Sequence, residues 1–478
     1  MIIEEEGALK QAAIDAWMRD YFPYPAELRT VGESEYILVN VETEYHVTRP
    51  DSTGAGGGIV FIDHTFGSEH LDGGDICSYF EAICEEIDQI LAPLRFTANS
   101  ADFVEAEIIL GPALNALITR RAGGQIGQGL TDPIRNAQSF IDDFQSVFLD
   151  AFSFTYLSRL DEVIASYYAI AAELGAALGG QENLWKQTPD AVDSAVHAAT
   201  VAFHAHGQNA PFTWLEVLDV AKVMLEGVTA FIAAAALTID PPTMPAGIAA
   251  LLAGVTFVSD AGETMAATPP GPSYDSIMQA FKDSITGIIE GTRQQEEIMN
   301  DNLLDWCRSS RNSNLNLSNQ LADEPIDSSG YRSDIQLDLQ RCKALYEEHG
   351  YGQDGFLVQI KNGLTEARKV IELLVDNTLW FRDDRLGIGS RGYWHRWDEL
   401  RWILRDLLVD LEWQTDKAVS VFRAVVAALD DTDANSATQL TQLRGQLDAG
   451  SGYSPTAWPP DWPTGPYHEH NYDGIGGY

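Results

Sequence analysis

The chain has 478 residues, of which 45% are hydrophobic and 21% charged, proportions typical of a folded protein with a substantial core. Its 30 Lys and Arg residues face 71 Asp and Glu residues, which gives a formal net charge of −41. A field of this sign repels nucleic acid, so the composition argues against a nucleic-acid-binding role. Even the densest basic stretch, residues 382–405, is interleaved with acids, namely Asp383, Asp384, Asp398 and Glu399.

The N-terminal region, residues 1–74, predicts a short helix followed by strands. Apolar spacing indicates a helix over 7–22, and β-branched and aromatic residues fill 36–41 and 59–62 on either side of the glycine-rich stretch 52–58. We expect a β-hairpin there. The first six residues have neither the basic nor the apolar part of a signal peptide, so we expect any export to use another route.

From residue 75 onward, helical periodicity dominates and predicts a mainly α fold, an elongated multi-helix bundle over 75–308. Apolar residues recur every three or four positions over 75–91, 133–178 and 274–306. Gly179 and Gly180 are expected to end the second of these helices. Thr188 and Pro189 resemble an N-cap and a first-turn proline, which predicts a new helix ending at His206.

Residues 214–260 are the least polar part of the chain and predict an apolar helical hairpin. Its two runs, 227–239 and 246–258, are separated by Pro241, Pro242 and Pro245. Each run is shorter than the roughly 20 residues that span a bilayer as a helix. Burial in the protein is therefore the main interpretation, and membrane insertion of an oligomer is the alternative.

The C-terminal part begins after a polar linker at 309–332, which is rich in Ser, Asn and Asp and predicts an internal boundary. Helices follow at about 333–348, 355–381 and 397–430 within a region of long helices, 333–432. The tail, 449–478, is dense in Gly, Pro and aromatic residues. We expect it to be disordered or to lie along the bundle.

Candidate chemical sites are few, and we predict no catalytic, cofactor-binding or metal-binding residue. Residues 387–392 match G-x-G-x-x-G, but a dinucleotide fingerprint needs a preceding strand, and a helix is predicted there. An enzyme site near His64 or His395 remains an alternative. The four cysteines, Cys77, Cys84, Cys307 and Cys342, fit core positions, or one or two disulfides in an exported protein.

A cluster of tryptophans at the start of the last long helix is the most unusual local feature. Trp394, Trp397 and Trp402, together with Asp398, predict either a packing anchor between helices or a binding face for a partner.

The run from about Phe140 to Arg308 resembles the helical substrates and associated proteins of actinobacterial type VII (ESX) secretion, the WXG-type and PPE-like group. The resemblance lies in the order of a long helix, a turn with Trp185, an Ala-rich helix ending near His206, an apolar hairpin and a Ser-capped amphipathic helix. No tryptophan is followed by x-Gly, and the Tyr-to-acid spacing of the family's export signal is present only with Trp, as in Trp394 and Asp398.

The resemblance implies a non-enzymatic protein that acts by helix–helix pairing with a helical partner or with its own copies. It also implies a secreted or cell-surface location reached without a signal peptide, with a cytoplasmic location as the alternative. A second hypothesis is a delivery or scaffold component of a toxin or phage-like assembly, in which the hairpin 214–260 acts on membranes.

Overall fold

The computed structural model describes residues 5–22, 27–32, 34–40, 43–51, 59–63, 67–71, 74–95, 100–142, 152–206, 273–312, 344–347, 354–374 and 378–430. The predicted apolar hairpin, most of the predicted linker, the C-terminal tail, His64 and Cys342 lie outside these residues. Within them the protein is mainly helical with a small N-terminal sheet, as predicted.

The N-terminal region combines helix α1 (Glu6–Tyr21) with an antiparallel meander of five strands: β1 (Glu27–Val31), β2 (Glu35–Val39), β3 (Thr43–Thr48), β4 (Ile59–Asp63) and β5 (Gly67–Leu71). The predicted hairpin is wrong in its pairing, because β3 lies between the two predicted strands and pairs with both. In β3, buried residues alternate with the polar residues Glu44, His46 and Thr48. Because the segment has no continuous apolar run, the strand was not predicted.

A buried carboxylate joins the sheet to α1. Tyr36 and Leu38 of β2 and Tyr45 and Val47 of β3 have exposures of 7% or less. The Tyr36 hydroxyl donates to Asp15 Oδ1 at 2.6 Å, and Arg49 Nε donates to the same oxygen at 3.1 Å. The charge that α1 buries is therefore paired and hydrogen-bonded, as burial requires.

Helices α2 (Gly74–Leu91), α3 (Ser100–Leu117) and α4 (Thr131–Asp142) follow. The buried stripe of α2 is the predicted one, with Ile76, Phe80, Ile83 and Ile87 at most 5% exposed. Helix α3 was not predicted; Gly111 and Pro112 interrupt its pattern, yet it packs along the next long helix. Cys84 and Cys307 are buried, and Cys77 is partly exposed.

Helix α5 (Ser158–Ala205) follows a π-helical turn at Ser153–Leu157 and runs unbroken for 48 residues. The predicted break at Gly179 and Gly180 and the predicted new start at Thr188 are wrong. Leu178, Leu184 and Trp185 are buried on both sides of these positions, and burial outweighs the unfavourable helix propensity of glycine and proline.

The remaining helices are α6 (Tyr274–Asn312), α7 (Phe356–Leu373) and α8 (Trp394–Asp430). Helix α7 ends eight residues before the predicted end at 381, and a 3₁₀ turn at Thr378–Trp380 follows. The core is continuous across the predicted boundary at 309–332: Tyr156 donates to Thr415 Oγ1 at 2.8 Å, and the Phe152 and Phe422 rings lie 4.5 Å apart.

The last turn of α1 holds the end of α5 and the start of α6 together. Asp20 accepts a hydrogen bond from the backbone N–H of Tyr274 at 2.7 Å and contacts His206 Nε2 at 2.8 Å. Arg19 donates to the His206 carbonyl, and Tyr21 donates to the Asp275 carboxylate. We call Arg19, Asp20 and Tyr21 the α1 clamp.

Candidate functional site

The connection between α7 and α8 contains the glycine-rich stretch 387–392 and is organised around a buried ion pair. Arg382 in the connection and Glu296 in the middle of α6 form a salt bridge, and both side chains have no solvent exposure. Gln181 of α5 donates to Glu296 Oε1 at 3.0 Å, and the backbone N–H of Ile388 donates to Oε2 at 3.0 Å. Both carboxylate oxygens are thus satisfied.

The guanidinium of Arg382 forms the interior of the connection. Its Nε donates to the carbonyls of Leu386 and Gly389, both at 3.0 Å, and its Cζ lies 5.0 Å from the ring centre of Trp185. Burial lowers the pKa of Arg382 and raises that of Glu296, and their mutual attraction opposes both shifts. The pair therefore depends on close contact to remain charged.

The three glycines of the G-x-G-x-x-G match allow the backbone to fit closely around this ion pair. All three have positive φ, and a Cβ on Gly387 or Gly392 would collide with the Glu296 carboxylate or the Arg382 guanidinium. A 3₁₀ turn precedes the stretch and helix α8 follows it, so the strand–turn–helix of a dinucleotide site is missing from this connection. The gap beside Glu296, lined by Gly180, Gln181 and Met299, does not hold even a water molecule.

Of the four predicted partner-binding residues, Trp397 is a core residue. It is 3% exposed, its Nε1–H donates to the Leu174 carbonyl at 2.9 Å, and its ring lies 6.0 Å from that of Trp380. Trp380 in turn meets Phe103 of α3 edge-on at 5.2 Å. The ring of Trp397 anchors α8 on α5, which corresponds to the packing-anchor interpretation of the cluster.

The other three predicted residues are partly exposed and lie beside arginines. Arg401 and Arg405 lie over the Trp402 ring at 4.7 and 5.5 Å, and Asp398 accepts from Arg401 Nε at 2.8 Å. Arg391 lies over the Trp394 ring at 5.3 Å. The sequence analysis did not identify Arg391 as the residue that covers Trp394.

The alternative enzyme site near His395 has little support in its electrostatics. Burial, together with the neighbouring Arg396 guanidinium, lowers the pKa of His395 to about 4. A general base works best when its pKa lies near the operating pH. At neutral pH, His395 is an uncharged, partly buried imidazole of low basicity.

Metal binding and membrane crossing find little support in the described residues. Among them, no group of three or more His, Cys, Asp or Glu side chains is placed to hold a metal ion.

One described helix, Arg159–His204 within α5, is long and apolar enough to cross a membrane. However, 72% of its most apolar part is buried inside the protein, as in a core helix.

Helix α3 exposes an apolar stripe to solvent. Ile108 is 69% exposed, Val104 38% and Ile109 37%, although the opposite side of the helix is buried through Phe103, Ala106 and Leu110. We call Val104, Ile108 and Ile109 the α3 stripe. These positions lie on one helical face at i, i+4 and i+5, which is how a helix presents anchors to another helix.

Comparison with known proteins gives no relative: no family model, no curated protein and no solved structure matches this chain.

The glycine positions predict opposite effects of alanine at two sites. Gly387→Ala places a side chain against the Glu296–Arg382 pair at a positive φ, and we expect it to lower the free energy of unfolding by about 3 kcal/mol or more. Gly291→Ala, in open space within α6, should raise it by about 0.5–1 kcal/mol. Urea unfolding followed by circular dichroism measures both. Equal effects at the two sites would contradict this role of Gly387.

The lowered pKa of His395 predicts a loss of stability in acid. The folded protein resists protonation of this imidazole, so its contribution is complete above pH 6.5 and is lost as the pH falls towards 4. The wild-type protein should lose more stability over this window than His395→Gln. In ¹³C-histidine-labelled protein, the resonance missing from His395→Gln should titrate near pH 4. A midpoint near 6.5 would reject the prediction.

Proposed function

We propose that this protein is a non-enzymatic helical interaction protein, similar in role to type VII secretion substrates or their associated proteins. The α3 stripe carries the proposal, since it is an apolar helix face exposed on a protein whose other described helices bury most of theirs. The proposed mode of action is burial of this stripe against a helix of a partner or of a second copy.

Charge favours a different protein over a second copy as the partner. Asp102 and Glu105 are exposed in α3 next to the stripe, and the whole chain carries a charge of −41. Two copies paired through α3 would bring like charges together, whereas a partner helix with flanking basic residues would neutralise them. The proposal includes export by a route that needs no signal peptide. A cytoplasmic location is the alternative.

Site-specific photocrosslinking tests the proposal. A benzoylphenylalanine at Ile108 should give a discrete crosslinked product in the cells that naturally produce the protein. The same group at Ile126, which is 77% exposed in a connection between helices, serves as the matched control. Ile108→Glu should abolish the product of a benzoylphenylalanine placed at Val104. Light scattering of the purified chain then separates a partner from a second copy. Absence of a product at Ile108, or equal products at both positions, would refute the role of the α3 stripe.

A second candidate function, membrane action by the apolar hairpin 214–260, has one observation in its favour. The α1 clamp contacts both His206 and Tyr274, so the two described chain ends that flank residues 207–272 lie at a single place. A component that delivers an apolar segment needs such a fixed base, and the apolar composition of the segment supplies the chemistry.

Dye leakage from vesicles distinguishes this second candidate. If the hairpin acts on membranes, the protein should release dye from neutral phosphatidylcholine vesicles. Leu251→Asp in the second apolar run should reduce the release at least roughly tenfold, because a charged side chain inserts poorly into a bilayer. The matched control is Ile126→Asp, which adds the same charge in a connection that the structure describes and exposes to solvent. No release at either neutral or acidic pH would remove this candidate.

A further inference from the structure

The connection between α7 and α8 presents one arginine to solvent between two aromatic rings. The Cζ of Arg391 lies 4.7 Å from the ring centre of Phe381 and 5.3 Å from that of Trp394. Phe381 is 47% exposed, and Trp394 is partly exposed. We call Phe381, Arg391 and Trp394 the arginine sandwich.

Arg391 makes no salt bridge with any described residue, in contrast to its neighbours in the chain. Arg382, Arg385, Arg396, Arg401 and Arg405 each pair with at least one carboxylate. Arg391 is thus the one arginine of residues 382–405 without a described acidic partner, in a protein with more than twice as many acidic as basic residues. Its five N–H donors are directed by a planar group that matches a carboxylate in two-point contact.

The backbone around Arg391 is held rigidly. The Ser390 carbonyl accepts from the Arg382 N–H at 3.1 Å, the Gly389 carbonyl accepts from the Gly392 N–H at 3.1 Å, and the Arg391 carbonyl accepts from the Trp394 N–H at 3.1 Å. Beneath them lies the buried Glu296–Arg382 pair. A rigid presentation lowers the entropy that binding costs, which is the property expected of a recognition element.

The charge of Arg391 differs from that of the other arginines in this segment. Arg382 and Arg405 pair with Glu296 and Glu372, which lie on other helices, whereas no described carboxylate forms a salt bridge with Arg391. At physiological ionic strength, fields are screened beyond about 8 Å, so an acidic group in contact with Arg391 is attracted by this charge more than it is repelled by acidic residues farther away.

We propose that the arginine sandwich binds an aspartate or glutamate side chain on a segment of a partner protein, with the rings of Phe381 and Trp394 shielding the ion pair from water. This inference rests on the proposed function and adds the chemistry of the partner. The sandwich adjoins α3, since Phe103 of α3 contacts Trp380, the residue before Phe381.

Fluorescence anisotropy with a fluorescein-labelled decaglutamate peptide and the full-length protein in 150 mM salt tests the proposal. We expect saturable binding, weakened at least roughly tenfold by Arg391→Gln, because a charge-assisted, two-point hydrogen bond is lost. Arg391→Lys keeps the charge but loses the planar contact, so its affinity should lie between the two. Phe381→Ala should weaken binding with Arg391 intact. Decaglutamine should not bind.

Arg423→Gln is the matched control, because Arg423 is an exposed arginine of α8 for which the described residues provide no salt bridge and no ring contact. It should bind as the wild type does. Equal losses in Arg423→Gln and Arg391→Gln would overturn the proposal, as would absence of binding to the wild type. Tight binding of a phosphoserine decapeptide without binding of decaglutamate would also overturn it, in favour of a phosphate ligand.

The two experiments distinguish a failure of the proposed arginine sandwich from a failure of the proposed α3 stripe. Loss of peptide binding specificity with an intact crosslink at Ile108 would reject the arginine sandwich and leave the interaction role standing. Specific peptide binding without any crosslink at Ile108 would reject the α3 stripe and retain the sandwich as an isolated anion site.

Discussion

The buried contact between Glu296 and Arg382 determines how the C-terminal helices are placed. It joins the middle of α6 to the connection before α8, and Gln181 extends it to α5. Two charges without solvent exposure are tolerated here because each is paired with the other; of the donors of Arg382, only Nη1 is buried without a hydrogen-bond partner. The positive φ values of Gly387 and Gly392, the direction in which α8 begins and the presentation of Arg391 all follow from fitting the backbone around this one guanidinium.

Surrounding this pair, the aromatic residues perform two different tasks. Trp380, Tyr393 and Trp397 fill the space between α3, α5 and α8, and the polar atoms of the last two donate to carbonyls of α5. Phe381 and Trp394, their immediate neighbours in sequence, lie at the surface beside Arg391. Adjacent aromatic residues thus divide between core and surface. The proposed interaction role uses the outer group and the α3 stripe.

The sequence predicted the helical class and the boundaries of α1, α2 and α8 to within a few residues. These predictions depend on local periodicity, which Ile76, Phe80 and Ile83 display clearly. It did not predict the continuity of α5 through Gly180 and Pro189, since tertiary burial decides that point. Nor did it predict the Glu296–Arg382 pair, whose members are 86 residues apart. Ion pairs between distant residues leave no periodic pattern.

The α1 clamp has a consequence for how this chain tolerates change. His206 and Tyr274 both contact the same aspartate, Asp20, so the two chain ends that flank residues 207–272 meet at the last turn of α1. The entropy of closing such a connection grows only with the logarithm of its length. Closing the chain between these two ends therefore costs little more free energy for a longer segment than for a shorter one, so the described helices should tolerate changes in the length of residues 207–272.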